Sequence, residues 1–320
     1  MLDTVMPDAL LLAELRDGLR RKQRELPLRL LAHVDEGLLA STYLKPTVGQ
    51  IAVERVVMED ALAAPGTLEG MSRPALVVEH APRCSDAGDA ILDRMAAAGD
   101  AQAGVPAVAL VDRDERLVAR RRERLARRGV ARPAIVAADP TMALPLPRGA
   151  PHPRLHLFPC NVLGTLGTLG AIRALRVLRA SLDPGDRALL SVDVRRDGAY
   201  IAEAFATCPA LAAVTLGMLE ASNRELGTDF PPDAFLHSAQ WDGEFSRVET
   251  TLVATRAVKV RVPGDHPMAL RKGQTIRSGV HATFDRRRLT AMLDSVGLAV
   301  DGWVTDADGR VALATARIAR

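Results

Sequence analysis

Apolar runs of the sequence end three times in an acid, at Glu79, Asp112 and Asp139. The carboxyl ends of parallel strands lie along one edge of a sheet, and ligands bind at that edge. A carboxylate accepts two hydrogen bonds at once, which suits the two hydroxyls of a ribose, and Asp112 ends the second run. Each acid taken singly is better explained as the cap of the helix that follows. Together they favour a nucleoside-containing cofactor, with Asp139 accepting from an adenine amino group.

The loop after the first run lacks the glycines of phosphate- or adenosyl-binding loops. It reads Glu79-His-Ala-Pro-Arg-Cys-Ser85, and the next glycine is Gly88. Pro82 removes an amide donor, and Arg83 places a bulky cation where a small residue belongs. A later glycine series, from Gly164 to Gly170, matches no phosphate-binding motif and predicts a close strand-to-helix packing junction.

The histidines and cysteines form no metal or nucleophile motif. His152 and His156 stand four residues apart, but Pro151 and Pro153 argue against a shared helix face. The three cysteines are an odd, scattered set, which predicts neither a zinc site nor a disulfide framework. We therefore expect no bound metal and a reducing, cytoplasmic setting.

Composition excludes several classes of protein and partner. The 320 residues are 48% hydrophobic and 25% charged, with a net charge of +3, which fits a globular protein of roughly two domains. The most basic run, residues 120–128, has no aromatic platform beside it and is interpreted as a solvated helix face. No apolar run approaches the roughly 18 residues of a membrane helix. We expect no nucleic-acid or membrane partner, and the acids among the first twenty residues argue against a signal peptide.

The elements that would position the three acids alternate between strand and helix from Pro74 to Asp193. This alternation predicts a mainly parallel sheet with right-handed crossovers. After Asp193 it lapses, and residues 199–227 are predicted helical, while residues 248–262 predict a long strand or a hairpin arm. The tail from Asp285 is predicted as helix, strand, turn and strand, an arrangement that can return to the first sheet as an antiparallel edge.

Several short segments together have the character of a family signature. The segments in the second half of the chain are Leu182-Asp-Pro-Gly-Asp186, Ser191-Val-Asp193, Asn223-Arg-Glu-Leu-Gly-Thr-Asp-Phe230, Asp233-Ala-Phe235, Trp241-Asp242, Glu249, Phe284 and Trp303-Val-Thr-Asp-Ala-Asp-Gly309. Weaker matches in the first half are Leu26-Pro27, Tyr43, Pro46-Thr47, Glu79, Asp112 and Asp139. On these residues, the chain resembles the histidine-specific Nα-methyltransferases of ergothioneine biosynthesis, which form hercynine (trimethylhistidine).

The resemblance implies an α/β fold, namely the class I (Rossmann-like) methyltransferase fold, with a mostly parallel sheet and a second, α+β substrate-binding domain. Residues 59–195 would form the methyltransferase core, and residues 285–320 would return to its sheet. Residues 1–58 and 196–284 would form the substrate domain.

The resemblance also implies a cofactor, S-adenosylmethionine. Its site would include Glu79 and Arg83, with Asp112 holding the ribose and Asp139 the adenine end.

The substrate positions implied by the resemblance differ from the family pattern. Tyr43 stands where a tyrosine touches the amino-acid substrate, but Thr165 replaces a substrate-holding asparagine and Phe205 replaces a tyrosine. Gly279 and His281 replace a Glu-x-Ser pair that reads the imidazole. A site that lacks polar partners rejects such a substrate by roughly 10⁴-fold in comparable systems. We therefore expect a small-molecule substrate bulkier and more apolar than free histidine, such as a tailored amino acid.

Three functions follow from these observations. The first is a divergent methyltransferase acting on an amino-acid-derived small molecule, with His281 as the candidate base. The second is a repurposed enzyme that no longer uses S-adenosylmethionine and performs acid–base or cyclisation chemistry. The third is a catalytically inactive partner protein. Arg83 discriminates among them, because its side chain either fills the cofactor cleft or points away from it.

Overall fold

The apolar runs of the sequence become buried strands in the computed structural model. The described residues are 8–34, 56–60, 74–81, 85–97, 106–112, 115–130, 132–146 and 149–319. The chain divides into two units, of which the first comprises residues 1–48 and 197–281 and the second comprises residues 49–196 and 282–320.

The described helices and strands follow one another in both units. The helices are α1 (Ala9–Arg20), α2 (Ser85–Ala97), α3 (Glu115–Ala126), α4 (Val162–Thr165), α5 (Gly167–Ser181), α6 (Gly198–Ala206), α7 (Pro209–Leu226) and α8 (Arg286–Asp294). The strands are β1 (Leu76–His80), β2 (Ala107–Val111), β3 (Ala134–Val136), β4 (Arg154–Phe158), β5 (Arg187–Asp193), β6 (Phe235–Asp242), β7 (Arg247–Ala254), β8 (Val258–Val260), β9 (Met268–Leu270), β10 (Thr275–Ala282), β11 (Leu298–Thr305) and β12 (Val311–Ile318). Leu28–His33 and Pro232–Ala234 form 3₁₀ turns, and residues 56–60 are helical.

The second unit is built on a seven-stranded sheet of order β11-β12-β5-β4-β1-β2-β3. Strands β1 to β5 pair in parallel, while β12 pairs antiparallel with both β5 and β11. The predicted parallel sheet with an antiparallel return is therefore confirmed.

Strand β1 is buried along its whole length because both faces of this sheet are covered. Val77 packs into a cluster on one face, and Leu76 and Val78 pack into a cluster on the other. Helix α5 supplies a stripe of buried residues at helical spacing, Ala171, Ala174, Leu175 and Leu178. The sheet therefore holds the carboxyl ends of β1, β2 and β3 at fixed positions beside one another.

The first unit has its own core between helices and a small sheet. Leucines of α1, including Leu11 and Leu15, are fully buried with Met218 and Leu219 of α7. Three strands pair in the order β10-β7-β6, and every second residue of β7 is buried. Strands β8 and β9 form a separate antiparallel pair.

Two predicted elements of the first unit are each interrupted. The predicted strand over residues 248–262 is two strands, because the chain bends after β7, where the Thr255 amide donates to the carbonyl of Ala234. The predicted helix over residues 199–227 is two helices, and Pro209 begins the second, where its missing N–H costs nothing.

A helix that crosses a membrane must be long and apolar. Within the described part of the chain, no single helix meets that requirement, and α6 with α7 meets it only as a pair bent by 64°.

Candidate functional site

The three predicted acids belong to neighbouring strands of the large sheet: Glu79 lies within β1, while Asp112 and Asp139 follow β2 and β3. Val111 of β2 pairs with His80 of β1 and with Val136 of β3. The Asp112 amide donates to the carbonyl of Val136 at 3.2 Å, which places this residue beside the chain that leads to Asp139. Acids at the carboxyl ends of neighbouring parallel strands are the arrangement expected of a nucleoside-binding edge.

The carboxylate of Glu79 is buried and paired with an arginine of α3. Arg121 Nε lies 2.7 Å from Glu79 Oε2, and Arg121 Nη2 lies 2.5 Å from Oε1. Arg121 Nη1 also contacts Asp89 of α2 at 2.7 Å, and only 1% of Arg121 is exposed. Burial alone would lower the pKa of this guanidinium, but its hydrogen bonds and charge interactions with Glu79 and Asp89 raise it overall.

This buried pair corrects two sequence-based interpretations. Helix capping does not describe Glu79, because both of its carboxylate oxygens bind Arg121. The run 120–128 is not simply a solvated face, since Arg121 is buried and Arg124 and Arg128 contact the buried carboxylate of Asp89.

The carboxylate of Asp139 stabilises the turn that follows it. Its Oδ1 accepts from the Thr141 amide at 2.8 Å and from the Thr141 hydroxyl at 2.5 Å. Asp139 therefore stabilises a local turn, and the helix-capping interpretation does not describe it, because no helix follows it in the described residues before β4. Tyr43 and Arg83, the two other predicted site residues nearest the N-terminus, lie outside the described residues. Ala81, which precedes the loop of Arg83, has a positive φ of 48°.

The chain after β4 makes a sharp turn into α4. Cys160 and Asn161 both have positive φ, at 55° and 54°. The Asn161 amide donates through Nδ2 to the carbonyl of Ala282 at 2.9 Å, and its Oδ1 accepts from the Asp193 amide at 3.3 Å. A β-carbon on Gly164 would lie 2.6 Å from that same carbonyl of Ala282. Gly164 therefore permits a close approach of two backbone segments, as the packing-junction prediction required.

Thr165, which was predicted to lie at a substrate position, is the last residue of α4, and its hydroxyl bonds within that helix. It donates to the carbonyl of Val162 at 2.8 Å. The proton of this hydroxyl is therefore used within α4.

Cys160 is disulfide-bonded, which the three scattered cysteines had not suggested, while Cys208 is a buried free thiol.

The remaining predicted substrate residues lie in the first unit. The rings of Phe205 on α6 and His281 on β10 contact each other, with centroids 5.0 Å apart and planes tilted by 52°. Phe205 also packs against a small cluster that contains Ile201 and Val248. Gly279 lies on the same strand as His281, and a β-carbon there would lie 3.1 Å from the hydroxyl of Thr250. The structure thus brings Phe205 and His281 together.

A further histidine of this unit was not predicted from the sequence. His237 lies on β6. Its Nε2 is 3.0 Å from the Phe205 carbonyl oxygen, and its Nδ1 is 2.9 Å from the Thr215 hydroxyl. His237 is two residues before the buried Ala239, so both side chains lie on the same, inward face of β6. The period of two along a strand is the sequence pattern that could have indicated this orientation.

One group of described side chains has the composition of a metal site. His152, Asp183 and Asp186 lie close together at the amino ends of β4 and β5. The two ring nitrogens face different carboxylates, with Nδ1 3.2 Å from Asp186 and Nε2 3.3 Å from Asp183. One ion can take only one of these nitrogens, and Arg154 also lies 3.8 Å from Asp183, so the contacts described here join His152 and Arg154 to the two carboxylates.

The chain matches a known protein family over most of its length. The family model described as "Histidine-specific methyltransferase, SAM-dependent" matches residues 109–318. This stretch includes most of the large sheet and the whole of β6 to β10.

Two curated relatives share part of the sequence. The histidine N-alpha-methyltransferase of Mycolicibacterium smegmatis is 33% identical over 138 residues, which are 42% of this chain and 43% of that protein. The histidine N-alpha-methyltransferase of Mycobacterium tuberculosis is 30% identical over 173 residues, 53% of each chain. The match therefore spans about half the length of these relatives.

A solved structure of similar shape is an S-adenosylmethionine-dependent methyltransferase from Clostridium acetobutylicum. The TM-score is 0.51 at 8% identity, and the match covers 88% of this chain and 98% of that one. At this identity the similarity concerns the fold alone.

Proposed function

Because the chain belongs to the family of histidine-specific, S-adenosylmethionine-dependent methyltransferases, we propose that it methylates a small, amino-acid-derived molecule other than free histidine. Its class I methyltransferase fold supports the choice of reaction. The observation that carries the choice of substrate is the pair of contacting rings, Phe205 and His281, at positions where the family has polar substrate-reading groups.

The residues at the carboxyl ends of β2 and β3 fit the cofactor of this family. Asp112 would accept from the ribose hydroxyls, and Asp139, whose Oδ1 accepts from Thr141, would serve the adenine end. Glu79 would contribute indirectly, because both of its oxygens bind Arg121. Arg83, which lies outside the described residues, remains in the proposed cofactor site on the family resemblance alone.

The reaction itself needs few protein groups. The bound cofactor supplies a methyl group whose bond to the sulfonium sulfur breaks, leaving the electron pair on sulfur, as the substrate lone pair forms the new bond. The side chains must hold the attacking atom in line and accept one proton from it. The imidazole of His281 is the candidate acceptor in the first unit, the unit that we propose holds the substrate.

The side chains at the predicted substrate positions argue against free histidine as the substrate. The Thr165 hydroxyl donates within α4, Phe205 has no hydroxyl, and Gly279 has no side chain. An α-carboxylate and an imidazole would lose their partners on entering such a site, and an unpartnered buried polar group costs about 1–3 kcal/mol. The face made by Phe205 and His281 suits an apolar or aromatic portion of a substrate.

Two measurements test this proposal. Calorimetric titration with S-adenosylmethionine and with S-adenosylhomocysteine is expected to give micromolar dissociation constants. Transfer of labelled methyl is then compared for tryptamine, histamine and histidine, with tryptamine expected to be fastest and histidine slowest.

Each measurement has an outcome that contradicts the proposal. No binding at millimolar ligand would overturn the methyltransferase function and favour a repurposed enzyme or an inactive partner protein. Fastest transfer to histidine would leave the reaction standing and overturn the substrate choice.

A further inference from the structure

His237 is held between two helices of the first unit. Its Nε2 lies 3.0 Å from the carbonyl oxygen of Phe205 on α6, and its Nδ1 lies 2.9 Å from the hydroxyl of Thr215 on α7. Thr215 is 3% exposed, so bulk water does not compete for this contact. Both ring nitrogens of His237 therefore have defined partners.

The chemistry of these partners determines where the ring carries its proton. A carbonyl oxygen only accepts, so Nε2 must be the protonated nitrogen that donates to Phe205. Burial lowers the pKa of His237, and the ring is neutral at physiological pH, although the Phe205 carbonyl opposes this shift. A neutral ring has one N–H, so Nδ1 is an acceptor that faces the Thr215 hydroxyl, and the single proton of that hydroxyl is shared with the carbonyl of Ala212, 3.0 Å away.

The bond to Phe205 stabilises a particular point of α6. Phe205 is in the last turn of a helix that ends at Ala206, where carbonyl groups lack partners within the helix. The N–H of His237 satisfies one of these carbonyls. Because the backbone of Phe205 is held there, the point from which its side chain extends is fixed, and its ring centroid lies 5.0 Å from that of His281.

We infer that His237 is a positioning residue, which fixes the Phe205 ring against His281 and so shapes the substrate face of the first unit. This inference rests on the proposed function for its consequence in catalysis. The geometric part concerns His237, Phe205 and His281 alone and is testable without a substrate.

The test uses the ring protons of His281 as the probe. An aromatic ring 5.0 Å away shifts their NMR resonances, which are assigned by their loss in His281→Gln. Phe205→Leu removes the shift and sets its full size. We expect His237→Leu to abolish more than half of that shift and His237→Gln, whose amide can donate to the same carbonyl, to retain most of it. Thr215→Val is the matched control and should retain the shift, because Nε2 keeps its proton.

A double variant separates positioning from general support of the fold. If His237 acts through Phe205, adding His237→Leu to Phe205→Leu changes the His281 resonances no further. Unchanged resonances in a folded His237→Leu protein would overturn the inference. If that variant does not fold, His237→Asn, whose shorter side chain does not reach the carbonyl, is measured in its place against the same expectation.

Kinetics extend the test to function. For a substrate that the protein methylates, His237→Leu should raise KM by about tenfold, a typical coupling between contacting residues, and leave the affinity for S-adenosylmethionine unchanged. If the protein transfers methyl to no substrate tested, the proposed function is wrong. The NMR resonances of His281 then still test whether His237 positions Phe205. A fall in kcat with unchanged KM would contradict positioning of the substrate face.

Discussion

Gly88 lies so close to Glu79 that no side chain fits between them. A β-carbon on Gly88 would lie 2.1 Å from Glu79 Oε1 and 2.6 Å from Arg121 Nη2. The absence of a side chain at Gly88 therefore allows the buried carboxylate of β1 to meet both α2 and the guanidinium of α3. In dinucleotide-binding folds one glycine likewise permits close packing of a helix on a strand.

The first prediction concerns this close approach. Gly88→Ala is expected to lower the free energy of unfolding by about 3 kcal/mol, because the added carbon must displace one partner of a buried ion pair. Urea denaturation measures the change. Gly243→Ala is the control, since a β-carbon there would meet its nearest atom, Trp241 Nε1, at an ordinary 3.6 Å. Equal stability of the two variants would contradict the expectation.

The order of strands and helices in the large sheet was predictable from local sequence patterns. The inward orientation of Arg121, one member of the buried ion pair, was also predictable. Val118, Arg121 and Leu125 fall on one face of α3, and all three are buried. Arg121 is three residues after Val118 and four residues before Leu125, so the helical period places all three side chains on the same, core-facing side of α3. The partner of Arg121 was not predictable, because Glu79 is 42 residues away and only the crossover of the chain brings them together.

The role of His237 shows the same limit. Strand alternation places it on the inward face of β6, but its partners Phe205 and Thr215 lie 32 and 22 residues earlier, on separate helices. Their meeting depends on the break between α6 and α7, which the continuous helical pattern of residues 199–227 did not predict. Sequence patterns of period two or 3.6 indicate which way a side chain faces, whereas its partner depends on packing between elements.

The second prediction is a loss of stability in acid. His80 Nε2 and His156 Nδ1 are 3.1 Å apart, and both residues are buried. His80 Nδ1 and His156 Nε2 have no hydrogen-bond partner among the described residues. Burial lowers the pKa of both rings, that of His156 from 6.5 to about 4. The unfolded chain therefore binds more protons between these values, so stability is full above pH 6.5 and falls as the pH decreases towards 4.

The size of this loss is measured by urea denaturation between pH 7 and pH 4. His156 is expected to account for up to about 3 kcal/mol, since one pKa unit corresponds to about 1.4 kcal/mol. His156→Leu should remove its share of the loss, whereas His266→Gln, at an exposed histidine, should leave it unchanged. An identical loss in wild type and His156→Leu would rule out the buried pair as its cause.

The third prediction tests the turn after β4. Asn161→Asp keeps the acceptor for the Asp193 amide but replaces the donor to the Ala282 carbonyl with an oxygen. Two acceptors then face each other in a buried site, and we expect a loss of about 2 kcal/mol in the free energy of unfolding at neutral pH. Gln240→Glu makes the same chemical change at an exposed residue and should be nearly neutral. Equal effects of the two substitutions would show that the hydrogen bond from Asn161 to the Ala282 carbonyl does not stabilise the fold.

The fourth prediction concerns the proposed cofactor site. Asp112→Asn should weaken S-adenosylmethionine binding by about 10- to 100-fold, because hydrogen bonds to a charged group contribute about 1.5–3 kcal/mol. Asp139→Asn should weaken it less, since one oxygen of Asp139 already binds Thr141. Calorimetry measures both, with Asp294→Asn at an exposed position as the control. An unchanged dissociation constant for Asp112→Asn would place the ribose elsewhere.

The last prediction restores the polar groups that the family resemblance implies at the substrate positions. In the double variant Phe205→Tyr and Gly279→Glu, which keeps the candidate base His281, we expect the kcat/KM for histidine to rise by about a hundredfold, because a charged hydrogen bond alone contributes about 1.5–3 kcal/mol. The new β-carbon at Gly279 would lie 3.1 Å from Thr250 Oγ1, so Thr250 must shift slightly, and circular dichroism checks that the variant folds. Phe205→Tyr with Gly279→Ala is the matched control, which adds the same β-carbon without the charge. Hercynine formation is followed by mass spectrometry. If the unmodified protein forms hercynine as fast as the double variant, Phe205 and Gly279 do not exclude histidine, and the proposed change of substrate is wrong.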